Sequence, residues 1–170
     1  MQVKCQNAQC VIRAMTPADW PPVRDIYAQG IAGGDATFEL EPPPWAAWDA
    51  AHLPHSRLVA VGDDQVTGWA ALSAVSDRCV YGGVAEVSVY VASEAQRRGV
   101  GGVLLQALVD ESERNGIWTL QAGIFPENKA SVIVHERCGF RLVGRRERIG
   151  QMRGVWRDTL IMERRSKAVG

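Results

Sequence analysis

The sequence has no excess of either charge, with 19 Lys and Arg residues against 19 Asp and Glu residues in a chain of 170. No global field draws it to nucleic acid or to an anionic membrane, so an anionic ligand has to be held by local charge. Cysteine is scarce, and Cys5, Cys10, Cys79 and Cys138 show none of the short paired spacings of a metal site. Cys5 and Cys10 could pair with each other, whereas Cys138, beside a helix end, reads as a small buried apolar residue. No apolar run reaches the roughly 20 residues that span a bilayer. The polar start, Met1 to Gln9, lacks the apolar core of a signal peptide. Internal repeats and low-complexity linkers are also missing. These absences predict one cytoplasmic domain over 11–165 behind a loosely ordered leader over 1–10, with no nucleic-acid, membrane or metal partner.

What is present centres on one stretch. The apolar run Val87-Ser88-Val89-Tyr90-Val91 reads as a strand, and Gln96-Arg97-Arg98-Gly99-Val100-Gly101-Gly102 follows as a basic, glycine-rich loop. Val100, Val103, Leu104, Ala107 and Leu108 then make the apolar stripe of a helix that Asn115-Gly116 stops. A strand, a loop with bare backbone at Gly99, Gly101 and Gly102, and a helix N-terminus carrying about half a positive charge suit a pyrophosphate. Arg97 and Arg98 can add charge-assisted hydrogen bonds. The loop lacks the G-x-G-x-x-G spacing of a dinucleotide site, and no Gly-Lys-Ser/Thr tripeptide of a nucleotide triphosphatase occurs.

The wider pattern predicts a strand at Val11–Arg13, a helix opened by Thr16-Pro17 and running toward Gly30, and a short helix from Trp45 to His52 behind Pro42-Pro43-Pro44. Strands follow at Leu58–Val61 and Val66–Val75 around Gly62-Asp63-Asp64-Gln65, then at Val84–Val91. After the glycine-loop helix come a strand at Ile117–Ile124, a helix from about Lys129 to Cys138, and a closing hairpin of Arg141–Ile149 and Val155–Met162 through Gly150–Gly154.

Glu86 stands just before the apolar strand, and alternation puts Glu86, Ser88 and Tyr90 on one face, Val87, Val89 and Val91 on the other. A buried carboxylate there is costly unless it is used, and a carboxylate can take the proton that an ammonium must lose before it becomes a nucleophile. A capping or salt-bridged glutamate at a strand entrance fits the same position. His135 can be a proton donor or relay, or a histidine satisfied on a helix face. Asn128 and Ser131 can touch a ligand or cap the helix.

Gln96-Arg97-Arg98-Gly99-Val100-Gly101 resembles the coenzyme A loop of the GNAT N-acetyltransferases, and the order of elements from Val11 to Arg164 is similar to theirs. Ala85-Glu86-Val87-Ser88-Val89-Tyr90-Val91 resembles the phosphinothricin acetyltransferase branch. The resemblance implies a mixed α/β GNAT fold, a central, mostly antiparallel splayed sheet flanked by helices, and acetyl-CoA as co-substrate. Glu86 takes the place of the branch's base and His135 that of the group that protonates the departing thiolate. Val89 or Val91 would polarise the thioester carbonyl through a backbone N–H, and residues 96–102 would hold the pyrophosphate. Asn128 and Ser131 would contact the pantetheine arm.

Arg78 and Tyr81 match an Arg-x-x-Tyr of the herbicide-detoxifying relatives, Thr37-Phe38 a pair that closes their amino-acid pocket, and Gly154-Val155-Trp156-Arg157-Asp158 their Gly-x-Trp-x-Asp. Arg78, Tyr81 and Phe38 are therefore the expected substrate contacts, with a surface arginine and a core phenylalanine as the plain alternatives. The reaction implied is acetyl transfer to the α-amino group of a small glutamate-like toxic amino acid, of phosphinothricin, methionine sulfoximine or arsinothricin type, by direct attack and in a homodimer. The run Gly144–Gly150 resembles the arsinothricin-resistance members. A protein or peptide N-terminal acetyltransferase and a non-catalytic acyl-CoA sensor are the alternatives; the sensor would have no need of Glu86 and His135 together.

Overall fold

A computed structural model describes residues 3–4 and 10–170. Of the leader expected over 1–10, Val3–Lys4 (β1) pairs with Val11–Ala14 (β2), and Cys10 is buried; the rest, Cys5 included, lies outside the described residues. The remaining strands are β3 (Leu58–Gly62), β4 (Gln65–Ala74), β5 (Val84–Val91), β6 (Thr119–Ile124), β7 (Arg141–Met152) and β8 (Val155–Arg165). The helices are α1 (Trp20–Gly33), α2 (Trp45–Ala51), α3 (Val100–Arg114) and α4 (Lys129–Arg137). The described strands form one sheet in the order β1-β2-β3-β4-β5-β6-β8-β7. Every neighbouring pair is antiparallel except β5 and β6, the two strands that α3 connects. A parallel neighbour needs a long crossover, and α3 supplies it.

The two faces of β5 are covered by different helices. Trp69, opposite Tyr90 in the β4–β5 register, stacks on its ring at 4.8 Å, and Tyr27 of α1 and Trp48 of α2 pack onto the same face. On the other face Val91 lies beside Gly101, and Leu104 and Val100 fill the space over Gly68. Val23, Val59, Ala70, Leu72, Leu104, Leu105 and Leu108 are wholly buried between these layers. Each of these valines and leucines contributes about 1.5–3 kcal/mol over its exposed state. No helix among the described residues is long and apolar enough to cross a membrane.

Three boundaries differ from the sequence pattern for local reasons. Pro17–Asp19 forms one turn of 3-10 helix, closed by Asp19 accepting from the Thr16 N–H at 2.7 Å, and α1 begins only at Trp20. α1 runs through Gly30, because a side chain there would meet the Tyr90 ring at 2.7 Å; the helix stops at Gly34, whose φ is +82°. The closing hairpin turns on Arg153-Gly154 alone, both at positive φ, so β7 extends to Met152.

Candidate active site

The sheet opens between β5 and β6. Their pairing covers Val84 with Thr119, Ala85 with Leu120 and Glu86 with Gln121, then ceases, although β5 continues five residues to Val91. Ala92 donates its N–H to Thr67 of the β4 side at 2.9 Å. Backbone direction alternates along a strand, so the N–H groups of Val87, Val89 and Val91 face the gap. Beyond Glu86, one edge of β5 has no partner strand among the described residues.

The far end of this gap is the start of α3. Gly99 is its N-cap at φ +82°, a conformation that costs an ordinary residue about 1–2 kcal/mol, and Arg97 also sits at positive φ, +62°. No side chain caps the helix, and the first bond back to Gly99 O comes from Val103 at 3.2 Å. The N–H groups of Val100, Gly101 and Gly102 thus have no partner within the helix. A Cβ on Gly99 or Gly102 would meet nothing within 4 Å, and one on Gly101 only Val91 at 3.5 Å. Only Gly99 needs glycine for its backbone; the other two keep the surface bare. Arg97 and Arg98 are exposed beside it, and Gln96 Nε2 reaches Val91 O at 3.5 Å. The cradle fits a pyrophosphate.

At the near end a cavity of about 360 Å³ gathers Glu86, Val89, Phe38, Asn128, Ser131 and His135. The Glu86 side chain is exposed in the opened fork and accepts one hydrogen bond from Gln121 Nε2 at 3.0 Å. The burial cost that the sequence suggested for it therefore does not arise, because the parting strands admit solvent. His135 is buried at 5% exposure. Its Nδ1 lies 2.8 Å from Ser131 O, and a carbonyl can only accept, so Nδ1 carries the proton. Nε2 is then a bare acceptor, and it is buried without a partner. Burial depresses the His135 pKa, with the Ser131 carbonyl opposing the shift, so the resting imidazole is neutral. Before any turnover this group accepts a proton; it does not donate one.

Asn128 is engaged in structure. Its Oδ1 caps α4 by accepting from the Ser131 N–H at 3.1 Å, and its Nδ2 donates to Asp35 O at 3.1 Å. Phe38 packs edge-on against Phe125, 4.8 Å between centroids, and approaches Gly150 closely. Its loop is held by Arg157, which donates to Gly34 O and pairs with Asp35 at 2.7 Å and Glu127 at 3.2 Å while lying over the Phe125 ring. Arg78 and Tyr81 are not among the residues lining the cavity. They stand exposed on the loop before β5, with the guanidinium over the tyrosine ring.

The cavity also contains Tyr27, Glu39, Tyr90, Arg146 and Thr159, which sequence patterning did not single out as site residues. Tyr90 shares a face with Glu86 by alternation, whereas β7 is exposed on both sides of Arg146, and only its pairing with Thr159 of β8 brings Arg146 to the cavity. Burial raises the pKa of both tyrosines, which keeps their hydroxyls protonated. Cys138 is buried and its thiol pKa is raised by burial, so it is no nucleophile.

Residues 20–140 match the acetyltransferase (GNAT) family. The chain is 34% identical to a phosphinothricin N-acetyltransferase of Alcaligenes faecalis over 95% of its own length and 85% of that protein's. It is 30% identical to an L-methionine sulfoximine/L-methionine sulfone acetyltransferase of Pseudomonas paraeruginosa, over 89% and 92% of the two. Among solved structures, a phosphinothricin acetyltransferase of Sinorhizobium meliloti in complex with acetyl-CoA superposes with a TM-score of 0.83 at 29% identity, over 92% of this chain and 88% of that one. A ribosomal-protein-alanine N-acetyltransferase of Brucella melitensis superposes with a TM-score of 0.84 at 30% identity, over 91% and 99%.

Proposed function

The chain belongs to the GNAT acetyltransferase family and is an N-acetyltransferase of its phosphinothricin branch; from that premise we propose that it acetylates the α-amino group of a small, glutamate-like toxic amino acid. Phosphinothricin, methionine sulfoximine and arsinothricin are the acceptor types, and the outcome is resistance to them. The observation that carries this reading is the small cavity at the fork, where a solvent-reached carboxylate, Glu86, stands in the same wall as an acceptor nitrogen, His135 Nε2.

Members of this family use acetyl-CoA, which supplies an acetyl thioester as the electrophile. The residues of this chain would hold it along the unpaired edge of β5, with the diphosphate on the N–H groups of Val100, Gly101 and Gly102 and the side chains of Gln96, Arg97 and Arg98 around it. Ser131 and Asn128 would border the pantetheine arm. The Val89 or Val91 N–H would donate to the thioester carbonyl oxygen as negative charge develops there. Glu86 would take a proton from the acceptor's ammonium and free its lone pair for direct attack. His135 Nε2 would accept the second proton from that nitrogen and return it to the departing sulfur. The Nδ1 bond to Ser131 O supports this relay by fixing the tautomer.

Phe38 would wall the acceptor. Arg78 and Tyr81, exposed on a loop that also presents Val80, would join the site from the second copy of a homodimer. Exposed Leu142, Val143, Ile149, Val155 and Trp156 on the β7–β8 hairpin support such an assembly. The enzyme is proposed to work in the cytoplasm. The match to a ribosomal-protein-alanine acetyltransferase favours one rival, transfer to a peptide N-terminus.

The test is coenzyme A release with acetyl-CoA and a panel of phosphinothricin, methionine sulfoximine, methionine sulfone, arsinothricin, simple amines and Ala-initiated peptides. Turnover with the amino acids supports the proposal, and turnover confined to peptides contradicts it.

A further inference from the structure

Among the described residues Arg146, Arg148 and Arg153 of the β7–β8 hairpin are in no ion pair, and of these three Arg146 alone lines the fork cavity. Arg141 pairs with Glu163, Arg145 with Asp158, Arg157 with Asp35 and Glu127, and Arg164 with Glu113. Arg146, which is solvent-exposed, has no carboxylate within ion-pair distance among the described residues, although it lines the same cavity as Glu39 and Glu86. Its Nε donates to Thr159 Oγ1 at 3.2 Å, opposite it in the β7–β8 register, and Thr159 is buried at 5% exposure. That bond anchors one edge of the guanidinium and leaves the two terminal nitrogens to point onward. One of them lies over Gly123, 3.5 Å from where a Cβ would stand, so the missing side chain keeps the space open.

The placement relative to Glu86 is set by β6. Gln121 holds the Glu86 carboxylate, and Gly123, under Arg146, is two residues further along. Alternation puts both positions on one face, about 6.6 Å apart along the strand. The cavity therefore presents an anion at one end and an uncompensated cation at the other, across a gap the size of a small amino acid. An ammonium at Glu86 and a carboxylate at Arg146 satisfy both ends at once, which neither a simple amine nor a peptide N-terminus does.

We infer that Arg146 binds the α-carboxylate of the acceptor, so that the site selects a zwitterion over a bare amine or a peptide. The inference rests on the amino-acid reading of the acceptor given above. A guanidinium suits this task because its planar fork meets both carboxylate oxygens, which an ammonium at the same place does not. Arg146 has no part in proton transfer; it fixes where the amine stands.

The experiment measures kcat and KM for methionine sulfone, for its neutral carboxamide, and for the amine lacking the carboxylate, in wild type, Arg146→Leu, Arg146→Lys and the control Arg145→Leu. Acetyl-CoA affinity is followed by calorimetry on each. Wild type should prefer the acid. Arg146→Leu should raise KM for the acid about 10- to 100-fold, the loss of a charge-assisted contact, and leave the carboxamide and the acetyl-CoA affinity unchanged. Arg146→Lys should recover part of the loss, and Arg145→Leu should behave as wild type. Equal losses for acid and carboxamide in Arg146→Leu, or no loss for either, overturn the assignment of Arg146 while amino-acid turnover by wild type keeps the broader function standing. Peptide-only turnover by wild type overturns both.

Discussion

Two cavities in this protein are similar in size and opposite in chemistry. The larger, about 460 Å³ between the β2–β3 edge, α2 and α3, is lined by Asp49, Arg57, Asp110, Glu111 and Arg114. Its charges are spent on one another. Arg57 pairs with Asp49, Arg114 with Glu111, and Asp110 accepts from Gln106. His55 is bonded to Ser56. The smaller cavity, about 360 Å³ at the β5–β6 fork, holds Glu86 with only a neutral amide, Arg146 with only a hydroxyl, and His135 Nε2 with nothing. Glu86 and Arg146 are exposed and free to meet a ligand, whereas the unmade bond at buried His135 Nε2 costs about 1–3 kcal/mol. Trp48 and Trp69 also bury an unpartnered indole N–H in the core, so what marks the fork is a carboxylate, a guanidinium and a bare imidazole nitrogen gathered in one cavity, and not its volume.

Removing the proton acceptor of the fork should break the contrast most sharply. Glu86→Gln keeps the Gln121 contact and loses the base, so kcat should fall about 10²- to 10⁴-fold with acetyl-CoA affinity unchanged. The deficit should shrink as pH rises, because the acceptor amine then deprotonates without help. Steady-state rates from neutral to alkaline pH check both statements.

The pyrophosphate cradle comes next. Gly99→Ala forces a side chain into positive φ, which costs about 1–2 kcal/mol. Calorimetry should show acetyl-CoA binding weakened about 10-fold. Binding as tight as in wild type would detach the donor from the start of α3.

The loop that closes the cavity should give a smaller effect. Arg157→Ala removes the contacts to Gly34, Asp35 and Glu127 and uncovers the Phe125 ring. KM for the acceptor should rise several-fold with kcat little changed, because Arg157 holds Phe38 in place without touching the reacting atoms. An equal fall in kcat would place it closer to the chemistry.

The charge pairs away from the fork should act on stability alone. Asp19 is held by Arg13 above all, then by the Thr16 N–H and hydroxyl, which bring its carboxyl from 3.8 down to about 2. A lowered carboxyl pKa adds stability that is full above the unfolded value and is lost as pH falls through the folded one. Asp19→Asn should therefore cost about 1–2 kcal/mol at pH 7, discounted for the partly exposed Arg13, with the cost shrinking below the unfolded value of 3.8 and gone only below the folded value of about 2. His52 and His135 act in the same direction, since burial lowers both pKa values. The unfolded chain takes up their protons first, so stability falls as pH drops below about 6.5. Denaturant midpoints of wild type and of His52→Gln between pH 7.5 and 5.5 should show a shallower loss in the variant, with activity at pH 7.5 retained.

Much of this was legible in the residues, for reasons that can be named. The strand at 84–91, the glycine loop and α3 each have a local signature: alternation, bare backbone and a 3.6-residue stripe. Glu86 and His135 came from resemblance, and the structure brings them into one cavity. Arg146 was not legible, because its meaning depends on lacking an acidic partner, and pairing is a property of the β7–β8 register. Gly30 misled for a related reason: a glycine that stops a helix and one that admits the Tyr90 ring look alike in sequence. Arg78 and Tyr81, which also came from the resemblance, lie outside the cavity of a single chain.

The central claim is that the donor lies along the unpaired edge of β5 and against the first turn of α3. Amide hydrogen exchange with and without acetyl-CoA tests it residue by residue. Exchange should slow at Val87, Val89 and Val91 and at residues 99–103, and stay unchanged at 54–58, which line the larger cavity. Slowing at 54–58, with none along β5, would contradict the account.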